Sequence, residues 1–207
     1  MLFRSTLLLA LVSLTACSST RAPAGGGSVE FDEITVRRVN VVGPDGSPRV
    51  VLAAEDLMPG PTIGGVERAR DISPAGLLFY GLDGDEVGGL VATGDSTRHQ
   101  VQLILDYSNA DGARLLTYDR GEAGYLSGVV VPDRRPLDAE GVWGASPARV
   151  GAVVNNGTSY VTLNDANGKE RLVLTVAAEG DAKILFLDEA GNVVRTITAD
   201  GATEAEE

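Results

Sequence analysis

Six turn dipeptides recur between stretches of alternating apolar residues, and they constrain the fold more than any other feature of the chain. They are Asp45-Gly46, Asp83-Gly84, Asp111-Gly112, Asn156-Gly157, Asn167-Gly168 and Ala190-Gly191. Tight hairpin turns require a positive φ, which Gly adopts readily and which Asn and Asp tolerate. The chain is therefore predicted to be a series of antiparallel hairpins.

The stretches between these turns alternate with period two, as strands do. Val101, Leu103 and Leu105 share one face of a strand, and the Asn167-Gly168 turn separates two further stretches of this kind. Helical spacing is nearly absent. We therefore predict an all-β fold, a single antiparallel meander that closes as a barrel, a sandwich or a small propeller-like fold. Hairpins specify neighbouring strands but not which edges meet, so the three closures remain open.

The hairpin sequence from Val41 to Arg49, VVGPDGSPR, resembles a group of bacterial β-repeat proteins. Their hairpins have the form apolar-x-apolar-x-(E/P)-D-G-x-x-R. The stretch KILFLDEAGNVVRTI, Lys183 to Ile197, is similar, and the likeness extends over most of residues 31 to 198. The resemblance implies a repeated hairpin unit but does not imply a particular activity.

The amino-terminal segment has the pattern of an export signal. Arg4 precedes an apolar stretch from Leu7 to Leu14, which is shorter than the roughly 20 residues of a membrane-spanning helix. The run Leu14-Thr15-Ala16-Cys17 resembles the lipobox of bacterial lipoproteins. This resemblance implies that residues 1–16 are a signal peptide and that Cys17, the only cysteine, is acylated and becomes the first residue. The alternative is a secreted protein cut nearby, after Ala24.

Three further regions follow from this reading. Residues 17–28 are rich in Ser, Gly, Ala and Pro and are expected to form a flexible tether. Residues 29–199 are expected to form one all-β domain, and the acidic residues 200–207 a disordered tail. Ser18 after the cysteine resembles the lipoproteins that are sent to the outer membrane, which implies a lipid-anchored location facing the periplasm.

The charge balance disfavours two classes of partner. The formal net charge is −12, and Lys169 and Lys183 are the only lysines. Neutralising phosphates requires clustered Lys and Arg, so nucleic acid is not an expected partner, and an anionic lipid surface is an equally poor one. The membrane is therefore expected to be reached through the lipid on Cys17.

No cofactor or metal is expected. The Asp165, Asn167 and Gly168 loop has some calcium-ligand character, but placing Gly168 at the sixth position of an EF-hand-like loop puts Leu163 first and Leu174 twelfth. Both of these positions require oxygen ligands, so a hairpin turn is the favoured interpretation. A single histidine, His99, also excludes multi-histidine metal centres.

The stretch Val131 to Val150 interrupts the hairpin pattern with prolines, charges and the only tryptophan. Long irregular insertions often carry function, so Trp143, Arg134 and Arg135 are the candidate ligand-binding residues. The alternative is that Trp143 only fills one end of the core. A second long connection, Asp56 to Ser73, could flank the same site.

No catalytic residues are predicted. Gly94-Asp95-Ser96 looks like the nucleophile block of GDS-type esterases, but those enzymes have an α/β fold and a different position for the histidine. The sequence favours a lipid-anchored, non-catalytic binding or structural module of the cell envelope, with a protein or glycan as its partner. The alternative is an envelope hydrolase that uses carboxylates or Ser96 and His99.

Overall fold

A computed structural model describes residues 28–70, 72–108, 110–134 and 146–204. The chain divides into two compact units, residues 1–35 and 36–207. In the first unit the described residues, 28–35, form no helix or strand. All the elements described below belong to the second unit.

The second unit is built almost entirely of strands. They are β1 (Arg38–Val42), β2 (Pro48–Ala53), β3 (Thr62–Ile63), β4 (Val66–Glu67), β5 (Ala75–Tyr80), β6 (Glu86–Gly94), β7 (His99–Tyr107), β8 (Ala110–Asp119), β9 (Tyr125–Pro132), β10 (Ala148–Asn155), β11 (Thr158–Asn164), β12 (Glu170–Val176), β13 (Ala182–Leu187), β14 (Val193–Thr198) and β15 (Gly201–Glu204). Two single-turn 3₁₀ helices, Glu55–Leu57 and Gly121–Ala123, lie in the connections.

Thirteen of the strands form one antiparallel sheet in which order in space follows order in the chain. Strands β3 and β4 are the exception, because they pair only with each other within the connection from β2 to β5. The all-β class and the antiparallel meander predicted from the sequence are confirmed. Among the described residues β1 and β15 each have one neighbour, so this sheet is not closed into a barrel.

Five hairpins share one loop of five residues, with glycine at the fourth position. The loops are 43–47, 81–85, 165–169, 177–181 and 188–192, and their glycines have φ between 80° and 102°. In each loop the amide of the first residue donates to the carbonyl of the fifth, and the glycine amide donates to the carbonyl of the first. Positive φ at this position is the reason that the repeated sequence keeps Gly there.

The Asp111-Gly112 turn prediction is wrong. Both residues lie inside β8, and the chain reverses two residues earlier, because Tyr107 pairs with Ala110. Gly112 does not have positive φ; it sits where the register shifts between Leu105 and Asp106. Strand pairing up to Tyr107 and Ala110, with a bulge beside it, has replaced the turn at Asp111-Gly112 that the Asp-Gly signal suggested.

The last strand extends past the boundary at residue 199 that the sequence suggested. Strand β15 pairs with β14, with Thr198 opposite Gly201 and Arg195 opposite Glu204. The Thr198 hydroxyl also donates to the Gly201 carbonyl at 3.1 Å. Strand pairing, which an acidic composition does not reveal, incorporates this segment into the sheet.

The small buried core lies on one face of the sheet, which we call the inner face. The buried apolar side chains on this face include Val51, Ala53, Leu78, Val91, Leu116 and Val173. The strand register places these residues on the same side, since Val51 pairs with Leu78, and Val91 and Leu116 both pair with Gln102. Gln102, with 8% of its surface exposed, is buried among them.

Candidate binding surface

The other face of the sheet carries one continuous row of apolar side chains, one from each of twelve successive strands. In sheet order the row is Val39, Leu52, Leu77, Leu90, Leu103, Leu115, Val129, Ala152, Val161, Leu174, Ile184 and Ile197. Residues directly opposite each other in an antiparallel pair point to the same side. We call this side of the sheet the apolar face.

A flanking row lies two residues away in each direction. The first runs from Val41 through Val50, Phe79, Gly88, Leu105, Ala113, Val131, Val150, Leu163 and Leu172 to Phe186. The second runs from Ala75 through Ala92, Val101, Thr117, Ser127, Val154, Ser159 and Val176 to Ala182. No charged residue occurs in these three rows between β1 and β13.

The apolar face is open to solvent along most of its width. Leu115 and Leu105 are 55% and 54% exposed, and Leu52 is 49% exposed, whereas a core leucine such as Leu78 is 1% exposed. Val161 and Leu174, in the carboxyl-terminal half, are each 40% exposed. A monomer rarely leaves so many neighbouring large apolar side chains in water, so the surface has the character of a contact site.

A shallow cavity of about 280 Å³ lies at the carboxyl-terminal end of the sheet. It is lined by Leu174, Val176, Ala182, Ile184 and Ile197 of the apolar face, and by Thr175, Lys183, Thr198 and Ala199, which alternate with them along the chain. All of these residues except Ala199 come from three successive strands, so the hollow is a feature of the sheet surface and not of a loop.

One buried ion pair links the sheet to the connection from β2 to β5. Arg70 Nη2 donates to Glu86 Oε2 at 2.5 Å, and both side chains are largely buried. Arg70 Nε also donates to the carbonyl of Pro59, which attaches the connection to the first residue of β6. Burial raises the pKa of Glu86, although the Arg70 charge opposes that effect.

Asp106 is the most perturbed carboxyl group in the described part of the chain. Burial, with repulsion from Asp111 and Glu86, raises the pKa of Asp106 to about 7. Its Oδ1 atom is buried without a hydrogen-bond partner. Such a group can titrate near neutral pH, but the described residues contain no cluster of three acidic, His or Cys side chains that could hold a metal.

The turn that suggested calcium uses its carboxylate for other contacts. Asp165 Oδ1 accepts hydrogen bonds from the amides of Asn167 and Lys169, and Oδ2 accepts two from Arg171, at 2.7 and 3.0 Å. These bonds, the one from Asn167 first, lower the pKa of Asp165. The carboxylate therefore stabilises the hairpin, in agreement with the turn interpretation.

His99 lies in a cavity of about 420 Å³ whose polar lining includes Arg98, Tyr118 and Asp119. His99 Nε2 is 3.9 Å from Asp119 Oδ2. Asp95, the acid nearest to Ser96 in sequence, accepts hydrogen bonds from Thr97 and from the Arg98 amide. The Gly94-Asp95-Ser96 stretch thus forms the end of β6 and a hydrogen-bonded turn before β7.

The predicted ligand residues are only partly within the described structure. Arg134 is exposed, and its Nη2 atom donates to the Ser108 hydroxyl at 3.1 Å, which connects the end of β9 to the β7–β8 turn. Trp143 and Arg135 lie outside the described residues, as does Cys17. The apolar face is a candidate surface that the sequence did not indicate, and Arg134 is not one of the residues that form it.

Comparison with known proteins adds no family to this description. No family model matches the sequence, and no curated protein matches it. The described part of the chain includes no helix long and apolar enough to cross a membrane. Function must therefore be argued from the surface itself.

Proposed function

We propose that this chain is a lipid-anchored, non-catalytic binding module of the bacterial cell envelope. The acyl chains on Cys17 hold it in the outer membrane facing the periplasm, and residues 17–28 act as the tether. The apolar face carries the function, by contact with another apolar protein surface. The observation that supports this proposal most strongly is the charge-free row from Val39 to Ile197 in solvent.

A protein partner fits this surface better than a glycan does. Glycan recognition requires many hydrogen-bonding groups, whereas the central row of the apolar face contains only aliphatic side chains. The cores of protein interfaces are likewise depleted in charged residues. Of the three closures that the sequence left open, a sandwich fits this proposal, because a second layer supplied by a partner would cover the face that one sheet leaves open.

The anchoring part of the proposal is tested by labelling cells with a palmitate analogue. The wild-type chain should take up label and fractionate with membranes, and the Cys17→Ser variant should do neither. Label that persists on the serine variant would contradict acylation at this position.

The binding part is tested by placing a photo-crosslinking amino acid at Leu115 on the apolar face, in the anchored protein within its own envelope. Lys183, which is exposed on the inner side of the sheet, is the matched control position. Protein adducts should form at position 115 and not at position 183. Equal adduct formation at both positions, or none at either, would count against the apolar face as the contact surface.

The hydrolase alternative predicts a different result. If the molecule were an esterase acting through Ser96 and His99, purified protein would turn over a short acyl ester and lose that activity in Ser96→Ala. We expect no turnover above that of the Ser96→Ala and His99→Ala variants.

A further inference from the structure

We infer that the apolar face binds the apolar face of a second copy of this chain, so that two sheets form one β-sandwich. This inference rests on the proposed function, because it takes the apolar face as the contact surface and names what covers it. Face-to-face sheets pack about 10 Å apart with interdigitating side chains. Rows of leucine and valine at strand spacing provide such side chains from both copies.

The size of the apolar face fits a dimer interface. Strands lie about 4.8 Å apart and residues on one face repeat about every 6.8 Å, so rows of twelve, eleven and nine residues cover on the order of 1,000 Å². Stable complexes bury about 800 Å² on each partner, whereas the largest apolar patch on a monomer is about 300–600 Å². The face thus exceeds what a monomer exposes and matches what one partner needs.

The chemistry of the face favours an identical partner over a different protein. Homodimer interfaces are the more apolar class, and transient contacts between different proteins are about as polar as the rest of the surface. Two copies that meet through the apolar face bring little charge between them. The three rows contain no charged residue from β1 to β13, and Arg195 on β14, opposite Phe186, lies at the margin of the face. The acidic residues of the hairpin loops, such as Asp45 and Asp188, stay in water at the ends of the strands.

A lipid bilayer is a poorer occupant of the same face. Among the strands that the structure describes, β1 and β15 each have an edge without a neighbour, and hydrocarbon cannot satisfy the amides and carbonyls of such edges. The net charge of −12 also opposes approach to an anionic lipid surface. A second copy covers the face and leaves both edges and the acidic loops hydrated.

The contact is two-fold symmetric and centred on the middle of the sheet. Strand β9 is the seventh of thirteen strands, and Val129 on β9 is 42% exposed, between the neighbouring row members Leu115 and Ala152. A two-fold axis near this strand makes each copy contribute the same residues to the interface, as in most homodimers. Leu115 and Val161 then lie within the interface core.

The test is sedimentation of the full-length Cys17→Ser chain from nanomolar to tens of micromolar concentration. We expect a concentration-dependent dimer that Leu115→Glu and Val161→Glu each weaken at least tenfold. Lys183→Glu is the control, because it adds negative charge to the opposite side of the sheet and should leave dimerisation within about twofold of the parent chain. Far-ultraviolet circular dichroism identifies any variant that has lost its strands, and Leu115→Gln replaces the charged variant in that case.

The outcomes separate this inference from the proposed function. A chain that stays monomeric throughout, or a dimer that Leu115→Glu and Val161→Glu leave unchanged, overturns the second-copy assignment. Flotation of the Cys17→Ser chain with phosphatidylcholine vesicles, lost in Leu115→Glu, would instead assign the face to lipid. A monomer whose position 115 crosslinks a different envelope protein would leave the proposed function intact and remove only the inference.

Discussion

Val51 and Leu52 are adjacent in β2, yet Val51 is fully buried and Leu52 is 49% exposed. Successive residues of a strand point to opposite faces, so this contrast is a property of the two faces and not of the strand. The same contrast recurs on β8, where Leu116 is 5% exposed and Leu115 is 55% exposed. On these two strands the sheet is thus apolar on both sides and covered on one.

Alanine substitutions at Leu115 and Leu116 of β8 should lower the free energy of unfolding by different amounts, because the two side chains lie on opposite faces of the sheet. Leu116→Ala removes buried atoms and should lower the free energy of unfolding by about 2–5 kcal/mol. Leu115→Ala removes atoms that water already reaches, so we expect a loss below about 1.5 kcal/mol. Urea denaturation of the Cys17→Ser chain at low protein concentration measures both. Equal losses would mean that the two faces are equally covered in solution.

Gly46 provides a test of the shared hairpin loop. Its φ is 80°, and a Cβ added there would meet no atom within 4 Å, so any cost of substitution comes from the backbone conformation. Gly46→Val should cost about 1–2 kcal/mol. Gly46→Asn should cost less, since Asn tolerates the left-handed region. Thermal melts of the two variants check the order, and a valine variant as stable as the asparagine variant would contradict the assigned conformation.

The raised pKa of Asp106 makes stability depend on pH near neutrality. Because burial raises this pKa from 3.8 to about 7, the folded state binds more protons than the unfolded state between those values. Its contribution to stability is therefore fully present below the unfolded-state pKa and is lost as pH rises towards 7. Asparagine does not titrate, so the stability of Asp106→Asn should not fall in this way. The free energy of unfolding of the variant, relative to wild type, should therefore increase from pH 4 to pH 8.

The size of the pKa displacement limits this increase in the free energy of unfolding to about 4 kcal/mol. Partial solvent exposure of the Asp106 side chain makes the increase smaller. The measurement is the free energy of unfolding at several pH values for both proteins. Glu179→Gln, at an exposed carboxyl in a hairpin loop, is the matched control and should change little over this range. A pH-independent difference between Asp106→Asn and wild type would refute the assigned titration.

Asp165 should matter for stability without any role for calcium. Asp165→Ala removes two side-chain contacts to Arg171 and two to backbone amides, so its melting temperature should fall by several degrees. Asp83→Ala, which removes a single 3.2 Å contact to the Asp85 amide, should have a smaller effect. Millimolar calcium should move neither wild type nor variant. A calcium-dependent rise that disappears in Asp165→Ala would restore the metal-loop interpretation.

Local sequence signals predicted the hairpins because turn geometry depends on a few adjacent residues. The Gly46, Gly84, Gly168 and Gly191 turns follow directly from positive φ at glycine. Gly112 does not follow this rule. Tyr107 pairs with Ala110, so the chain reverses before Asp111, and strand pairing of this kind is not specified by the turn residues alone. A dipeptide signal can therefore identify a hairpin and still misplace its turn by two residues.

The candidate surface was harder to predict than the hairpins. Alternation shows that Leu103 and Leu105 share a face, but only the full set of strand registers shows that Leu103, Leu115 and Val129 are aligned across the sheet. Their solvent exposure also depends on what covers each face of the sheet, and the sequence of one strand does not determine this. The irregular stretch with Trp143 is the more prominent feature of the sequence, because a break in the alternation lies within one segment, whereas the apolar row depends on the register of all the strands.

Each strand of the meander pairs with its neighbours in the chain, so whole hairpins can be gained or lost during evolution. If a pair of strands such as β12 and β13 is duplicated or deleted, the remaining strands keep their alternating direction. Each remaining loop still joins two strands that are neighbours in the sheet. The aliphatic row would simply lengthen or shorten by two positions. We therefore expect natural homologues to differ in length by whole hairpins, and the width of the sheet to be set by gene duplication more than by substitution.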